Sequence, residues 1–266
     1  MDALTELFVV VSPWVKALTL GSARMVGFFT FVPVLSPQWV SGSMRAAVMG
    51  ALSLPIVLVL VEQFLSGGLF VGQYYGLLAI KEVAVGVLLS FVVAIIFWGV
   101  QGAGFFIDNQ RGATIASSYD PLSGNQASPL AMIMLNVFII YFIVSGGFFI
   151  LLSLVYGSYA VWPIESPLPR ITLEGALFVL SEVDLLVRIA LLIAAPVLLA
   201  MMLSELSLAL VSRFAPQLNV FNVAFSVKSG VAIFVLYIYV GVLFPYLRRE
   251  FLEIERVATR IGELAQ

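Results

Sequence analysis

The stretch VAVGVLLSFVVAIIFWGVQGAGFFIDNQRG, Val83 to Gly112, holds the two facts that decide the fold. Its first 25 residues, Val83 to Ile107, carry no charge, and four strongly polar side chains then follow without a gap: Asp108, Asn109, Gln110 and Arg111. A helix crosses the hydrocarbon of a bilayer with roughly 20 apolar residues, so the first part is long enough to span. Working outward, Ser229 to Leu247 is uncharged for 19 residues and Pro121 to Ile164 for 44. These runs are continuous and lack the alternation of a membrane barrel strand. Only helices and closed barrels satisfy every backbone group in lipid. The expected class is therefore an all-α membrane protein. Composition agrees: 62% of residues are hydrophobic and 11% charged, against roughly 45–50% and about 25% in soluble domains.

Interruptions in the apolar pattern predict about six long, partly kinked hydrophobic helices. The first runs from about Leu4 to Phe31 and stops at Pro33 and Pro37, and the opening MDALTELFVVV, with Asp2 and Glu6, reads as a retained helix and not a cleaved leader. The second covers about Met44 to Gln63 and the third about Tyr74 to Ile107. Between them, Gly68, Gly72 and Gly76 recur every four residues, as a packing stripe or, with Ser66 and Gly67 beside them, a turn. A fourth helix fits Pro129 to Tyr156, and a fifth, Thr172 to Val211, is expected to kink or break at Pro196. The last starts near Val223 and continues into an amphipathic C-terminal helix, 248–266, whose apolar residues Phe251, Ile254, Ala258, Ile261 and Ala265 recur at three and four.

Charge narrows the function. A net charge of −2 gives no footprint for nucleic acid. There is no Cys, which removes disulfides and thiolates, and no His, which removes the usual general base. Neither an enzyme nor a bound cofactor or metal is expected. The glycines of GVQGAGFF lack the last position of a dinucleotide fingerprint and read as helix packing. Four arginines in the tail, Arg248, Arg249, Arg256 and Arg260, put the C-terminus in the cytoplasm. Lys16 and Arg24 fall within the first helix, while Lys81, Arg188, Arg213 and Lys228 are expected among the connections, a scatter that fits no simple serpentine.

Four carboxylates stand at membrane depth, Glu82, Asp108, Asp120 and Glu205, and no two lie within one helical turn. Glu205 and Lys228 flank one short connection with opposite sign, so in a hairpin turning near Pro216 they reach similar heights. Two uses are open: a structural pair between helices, or part of an ion pathway.

Three stretches together, FVPVLSPQWVSGSMRAAVMGALSLPI (Phe31 to Ile56), GFFIDNQRGATIASSYDPLSG (Gly104 to Gly124) and SRFAPQLNVFNVAFSVKSG (Ser212 to Gly230), resemble in order and spacing the SctT/FliR family, the export-apparatus component of type III secretion systems. IDNQRGA is more similar to the virulence, or injectisome, branch than to the flagellar one. The resemblance spans most of the chain and implies a single domain over 1–266, built from helical hairpins, in the bacterial inner membrane within the secretion-system basal body. It also implies assembly with SctR and SctS subunits into a channel for unfolded exported proteins. A SctU-type switch protein, the inner rod and needle proteins, and membrane lipid are the further partners implied.

By the same resemblance, a plug-like loop over 108–128 projects into the channel, with Asp108, Asn109, Gln110, Arg111, Gly112, Ser117, Ser118, Tyr119, Asp120 and Pro121 as its candidate residues. Irregular backbone is allowed at that depth only beside protein or a watery cavity. The competing reading makes DNQRG a structural corner in which Asp108 and Arg111 satisfy each other or the neighbouring helix ends, with gating carried by residues elsewhere. Glu205, Arg213, Pro216, Gln217, Asn219 and Lys228 are assigned to assembly, and the amphipathic tail, on its pattern alone, to docking of SctU or of the large export-gate ring. A stand-alone ion or small-molecule transporter is the alternative, because it uses the same broken helices and isolated carboxylates.

Overall fold

The computed structural model describes residues 2–66, 74–112, 128–166, 173–214 and 220–264. Among them are seven α-helices: α1 (Asp2–Phe31), α2 (Gly42–Leu65), α3 (Tyr75–Gln110), α4 (Pro129–Val144), α5 (Gly147–Val161), α6 (Leu173–Phe214) and α7 (Val220–Leu264). A single 3-10 turn, Pro33–Leu35, follows α1, and the described residues contain no strand. Four apolar segments are long enough to cross a membrane, Gly42–Leu65, Tyr75–Gln110, Leu180–Phe214 and Val223–Leu252, and α4 with α5 makes a fifth if the pair is one span. The all-α membrane class is confirmed.

The expected fourth helix is two. Gly146 takes a positive φ of 83°, a left-handed conformation that ends α4 at the cost of no side-chain clash. The last carbonyls of α4 are then met by the Ser145 and Gly146 amides, at 2.9 Å to Tyr141 O and 3.0 Å to Ile143 O. Gly147 opens α5 with its Cα against the Phe142 ring, where an added methyl would lie 2.5 Å from Cε2. Of the kink or break expected at Pro196, the break is absent: α6 continues through it from Leu173 to Phe214. A proline removes one amide donor from the ladder, and a membrane helix tolerates that loss where neighbours adjust. Lys81, Arg188, Arg213 and Lys228 also stand within helices and not in connections.

The chain divides into two compact units. The first comprises Met1–Ala94, Phe148–Phe178 and Ile254–Gln266, and the second Ile95–Gly147 and Val179–Glu253. In the first unit, Ala17 and Leu20 of α1 pack with Val57, Leu60 and Val61 of α2 and with Ile164. Helices α1 and α3 approach more closely still. A methyl at Gly86 would lie 2.8 Å from the Phe28 amide and overlap the Arg24 carbonyl oxygen, and one at Gly27 would overlap the carbonyl of Val83. In the second unit, Phe97, Phe138, Phe142 and Phe251 stack at centroid separations of 5.0 to 6.3 Å, mostly tilted or edge-on. Such aromatic pairs add about 0.5–1.5 kcal/mol each to simple burial.

The α1/α3 contact makes a differential prediction. Gly86→Ala forces two backbones apart and should destabilise by about 1–3 kcal/mol. Gly50→Ala on α2, where nothing lies within 4 Å, should be neutral or gain up to about 1 kcal/mol from helix propensity. Thermal melting of the purified chain in detergent separates the two, and equal melting temperatures would contradict the close crossing.

Candidate functional site

The polar interruption begins one turn before α3 ends. Arg111 N donates to Ile107 O at 3.0 Å and Gly112 N to Asn109 O at 3.1 Å, and Gly112 turns the chain out of the helix with φ 82°. Its Cα rests on the Phe225 ring of α7, where an added methyl would lie 2.6 Å from Cδ1. Asp108 is wholly buried. A negative charge in the last turn of its own helix is opposed by the helix dipole, so its stabilisation comes from elsewhere. Arg111 Nε lies 2.7 Å from Asp108 Oδ1, one turn on. The other oxygen reaches α4: Asp108 Oδ2 accepts from the Ser128 hydroxyl at 2.5 Å and from the Leu130 amide at 2.9 Å.

Ser128 is itself the N-cap of α4, its Oγ accepting from Ala131 N at 3.2 Å, with Pro129 in the first helical turn. Asp108 thus caps the following helix from the preceding one. Gly104 allows the approach, since a methyl there would lie 2.6 Å from Ala131 N and 3.0 Å from Leu130 C. Of the tetrad, Asp108 and Arg111 face this joint, while Asn109 is exposed.

Gln110 faces a second, looser contact. Its Nε2 donates to Glu205 Oε2 at 3.5 Å, and the same oxygen lies 3.5 Å from Lys228 Nζ. The expected Glu205–Lys228 pair is therefore present between α6 and α7, with Lys228 also 5.6 Å from the Phe225 ring centroid. Lys228 is buried, whereas the Glu205 side chain is 51% exposed. Arg213 stands exposed in the last turn of α6. Ser117, Ser118, Tyr119, Asp120, Pro121, Pro216, Gln217 and Asn219 lie outside the described residues.

The strongest electrostatic feature went unread in the sequence. In the first unit, Glu82 is fully buried between two cations: Arg24 Nε donates to its Oε2 at 2.8 Å and Nη2 to its Oε1 at 3.1 Å, and Lys81 Nζ lies 2.8 Å from Oε1. The surplus positive charge meets backbone carbonyls at and beyond the end of α5. Arg24 Nη2 donates to Trp162 O at 2.8 Å, and Lys81 Nζ to Pro163 O, Ile164 O and Ser166 O at 3.0, 2.8 and 3.2 Å. Arg24 Nη1 donates to Ser158 Oγ at 2.9 Å, and its guanidinium lies 3.8 Å from the Tyr159 ring centroid. The only signal was a lone arginine in an apolar helix and an adjacent Lys-Glu dipeptide; neither names the other as partner.

A match to the family described as bacterial export proteins, family 1, covers residues 15–254. The chain belongs to the SctT/FliR family. It is 38% identical over 223 residues to the Yop proteins translocation protein T of Yersinia pestis, covering 83% of this chain and 84% of that one. It is 36% identical over 220 residues to the surface presentation of antigens protein SpaR of Shigella flexneri, 81% of each. The flagellar biosynthetic protein FliR of Bacillus subtilis is 28% identical over 252 residues, 94% of this chain and 93% of that one. These virulence-system names stand nearer than the flagellar one. As a member of the SctT/FliR family with apolar spanning helices, the chain is an integral membrane component of a type III secretion export apparatus.

Two predictions follow from burial in this SctT/FliR chain. Glu82→Gln strands two buried cations and should cost about 3–5 kcal/mol, read as a collapse of the detergent melting temperature or of yield; a melting temperature within a degree of wild type would contradict the network. At the second contact the loss is lopsided. Glu205→Gln leaves buried Lys228 without its carboxylate, whereas Lys228→Met leaves Glu205 half in solvent, a change of under about 1 kcal/mol. Glu205→Gln should thus be the worse single change, and adding Lys228→Met should restore part of the loss; additive damage would argue against the pair.

Proposed function

We propose that this chain is a non-enzymatic subunit of the type III export gate. With SctR- and SctS-type subunits it forms a membrane-associated channel for unfolded proteins, and the segment following α3 helps to close that channel. The observation that carries this reading is the Asp108 clamp, which ties the end of α3 to the start of α4 on either side of the segment. A chain segment tethered at both ends beside a lumen can obstruct it and still yield. Large apolar side chains on α2, α6 and α7 stand exposed, among them Leu58, Leu203, Phe234 and Tyr237. They offer faces to lipid and to neighbouring subunits.

The charges favour a passive gate over a stand-alone transporter. Of the four carboxylates that the sequence puts at membrane depth, Glu82, Asp108 and Glu205 are described, and each is paired with a cation. A proton or ion relay needs a carboxylate that changes partner during the cycle. The absence of His and Cys supports a subunit without chemical turnover. The inner membrane is the location proposed. Helix α7 runs unbroken to Leu264, in keeping with a cytoplasmic C-terminal helix, 248–266, that docks a SctU-type protein.

The test uses the assembled complex. Co-expression with SctR- and SctS-type subunits should give, by native mass measurement, a hetero-oligomer several times the 28.9 kDa of this chain. Deleting Gly112 to Ser118 in that complex should raise ion leakage across the membrane. Intact assembly without added leakage would defeat the closing role, and a monomer stabilised by a small solute would favour the transporter.

A further inference from the structure

We propose that α1 and α2 cross the bilayer side by side, their exposed faces covered by acyl chains and not by another subunit. Headgroups then lie at Trp14, Lys16, Glu62 and Tyr74 at one end and at Trp39 and Arg45 at the other. This gives a span to α1, which is not among the four apolar segments above. The placement holds whether or not the chain lines a channel.

The packing of the first unit sets the two levels. Helices α1 and α2 run antiparallel: Ala17 and Val61 share one core cluster, Gly21 rests on Val57, and Arg45 donates to Phe29 O. Tyr75 opens α3 at the level of Ala17, donating from its hydroxyl to Lys16 O at 3.3 Å. Trp14, Lys16, Glu62 and Tyr74 are exposed at the first level and Trp39 at the second. Trp, Tyr and flanking cations gather where hydrocarbon meets water. Between the levels α2 is uncharged from Ala46 to Val61, a rise of about 24 Å at 1.5 Å per residue. Hydrocarbon is ~30 Å thick, and a shorter stretch is matched by slight thinning and by flanking side chains that reach outward to the headgroups.

The surface between the levels has what acyl chains require. Val26, Leu54, Leu58, Leu77 and Ile80 stand exposed on it. Each Ser or Thr of α1 and α2 in the band donates into its own helix: Thr19 to Val15 O at 2.8 Å, Ser22 to Leu18 O at 2.7 Å, Thr30 to Val26 O at 2.9 Å and Ser53 to Gly50 O at 2.7 Å. None of these hydroxyls keeps its donor for water or for another chain, whereas helices that associate inside membranes commonly bond across through such groups. The charges within the band, Arg24, Lys81 and Glu82, are buried and paired, so none meets lipid.

The chain has no cysteine, so each introduced cysteine carries one nitroxide, whose collisions with oxygen in lipid and with a nickel chelate in water are read by power saturation. In the full chain in phospholipid vesicles, labels at Val26→Cys and Leu54→Cys should give an oxygen-to-nickel ratio above one, and labels at Gln38→Cys and Glu62→Cys a ratio below one. The same pattern is expected in the complex with SctR- and SctS-type subunits. Nickel reaching Val26→Cys and Leu54→Cys as readily as Gln38→Cys would make the face wet and overturn the placement. Labels there reached by neither reagent in the complex would show a subunit on the face and overturn it equally, and oxygen-dominated labels at Gln38→Cys and Glu62→Cys would remove the headgroup levels. Where Leu54→Cys fails to fold, Leu58→Cys, one turn along the same exposed face, takes its place.

Discussion

The fold depends on how helices that end in apolar surroundings satisfy their last carbonyls and first amides. Each α-helix leaves four of each unbonded, and lipid supplies no water to replace them. Here neighbouring helices send charges to those ends. Arg24 and Lys81 hold the carbonyls of Trp162, Pro163, Ile164 and Ser166 after α5. Arg45, in the first turn of α2, donates to Phe29 O in the last turn of α1. Asp108 accepts from Leu130 N at the start of α4. At each end so reached the sign matches the dipole of the receiving helix, cations at C-terminal ends and the anion at an N-terminal end, although Asp108 and Arg45 are unfavourably placed on their own helices. A chain with few charges has placed several of them where they substitute for water.

That arrangement requires helices to come close enough for side chains of fixed length to reach. Between α1 and α3 the approach is set by Gly27 and Gly86, each against the other helix's backbone. Arg24, one turn before Gly27, then meets Glu82, one turn before Gly86. The glycines and the ion pair are one device, since separated backbones would strand both charges. At α3 and α4 the same combination recurs, with Gly104 on Ala131 and Asp108 on Leu130. Small residues permit contact, and a charge one turn away makes the contact specific.

Much of this was legible in the sequence, and the remainder was not, for identifiable reasons. Uncharged runs gave the helices and the class, because the bilayer imposes length and continuity on any chain that crosses it. Asp108 and Arg111 stand three residues apart and were readable as a local pair; Ser128-Pro129 carries the signature of a capped helix start. Glu205 and Lys228 are legible as a pair because they flank one connection, and they meet at 3.5 Å. Arg24 and Glu82 are not, since 58 residues separate them and only tertiary packing makes them neighbours. Proline and glycine misled in opposite directions. Pro196 stays inside α6 where a kink or break was expected and no break occurs, while Ser145-Gly146-Gly147 divides an apolar run expected to be one helix. Glycine occurs freely inside membrane helices, and what ends α4 is a positive φ followed by contact with Phe142, neither of which composition reveals.

The engagement of these carboxylates bears on where the work of export is done. Moving protons through Glu82 would neutralise it in each cycle and leave Arg24 and Lys81 buried side by side with only carbonyls to offset them, a state strongly disfavoured in a low-dielectric interior. Neutralising Asp108 would remove the acceptor that caps α4 and release Arg111 from its partner. Both carboxylates hold cations and helix ends in place. Glu205 is the exception, half in solvent and loosely held, yet it is shared between two donors on other helices. A structural part in the export apparatus, and not a proton relay, is the role proposed above that this arrangement favours.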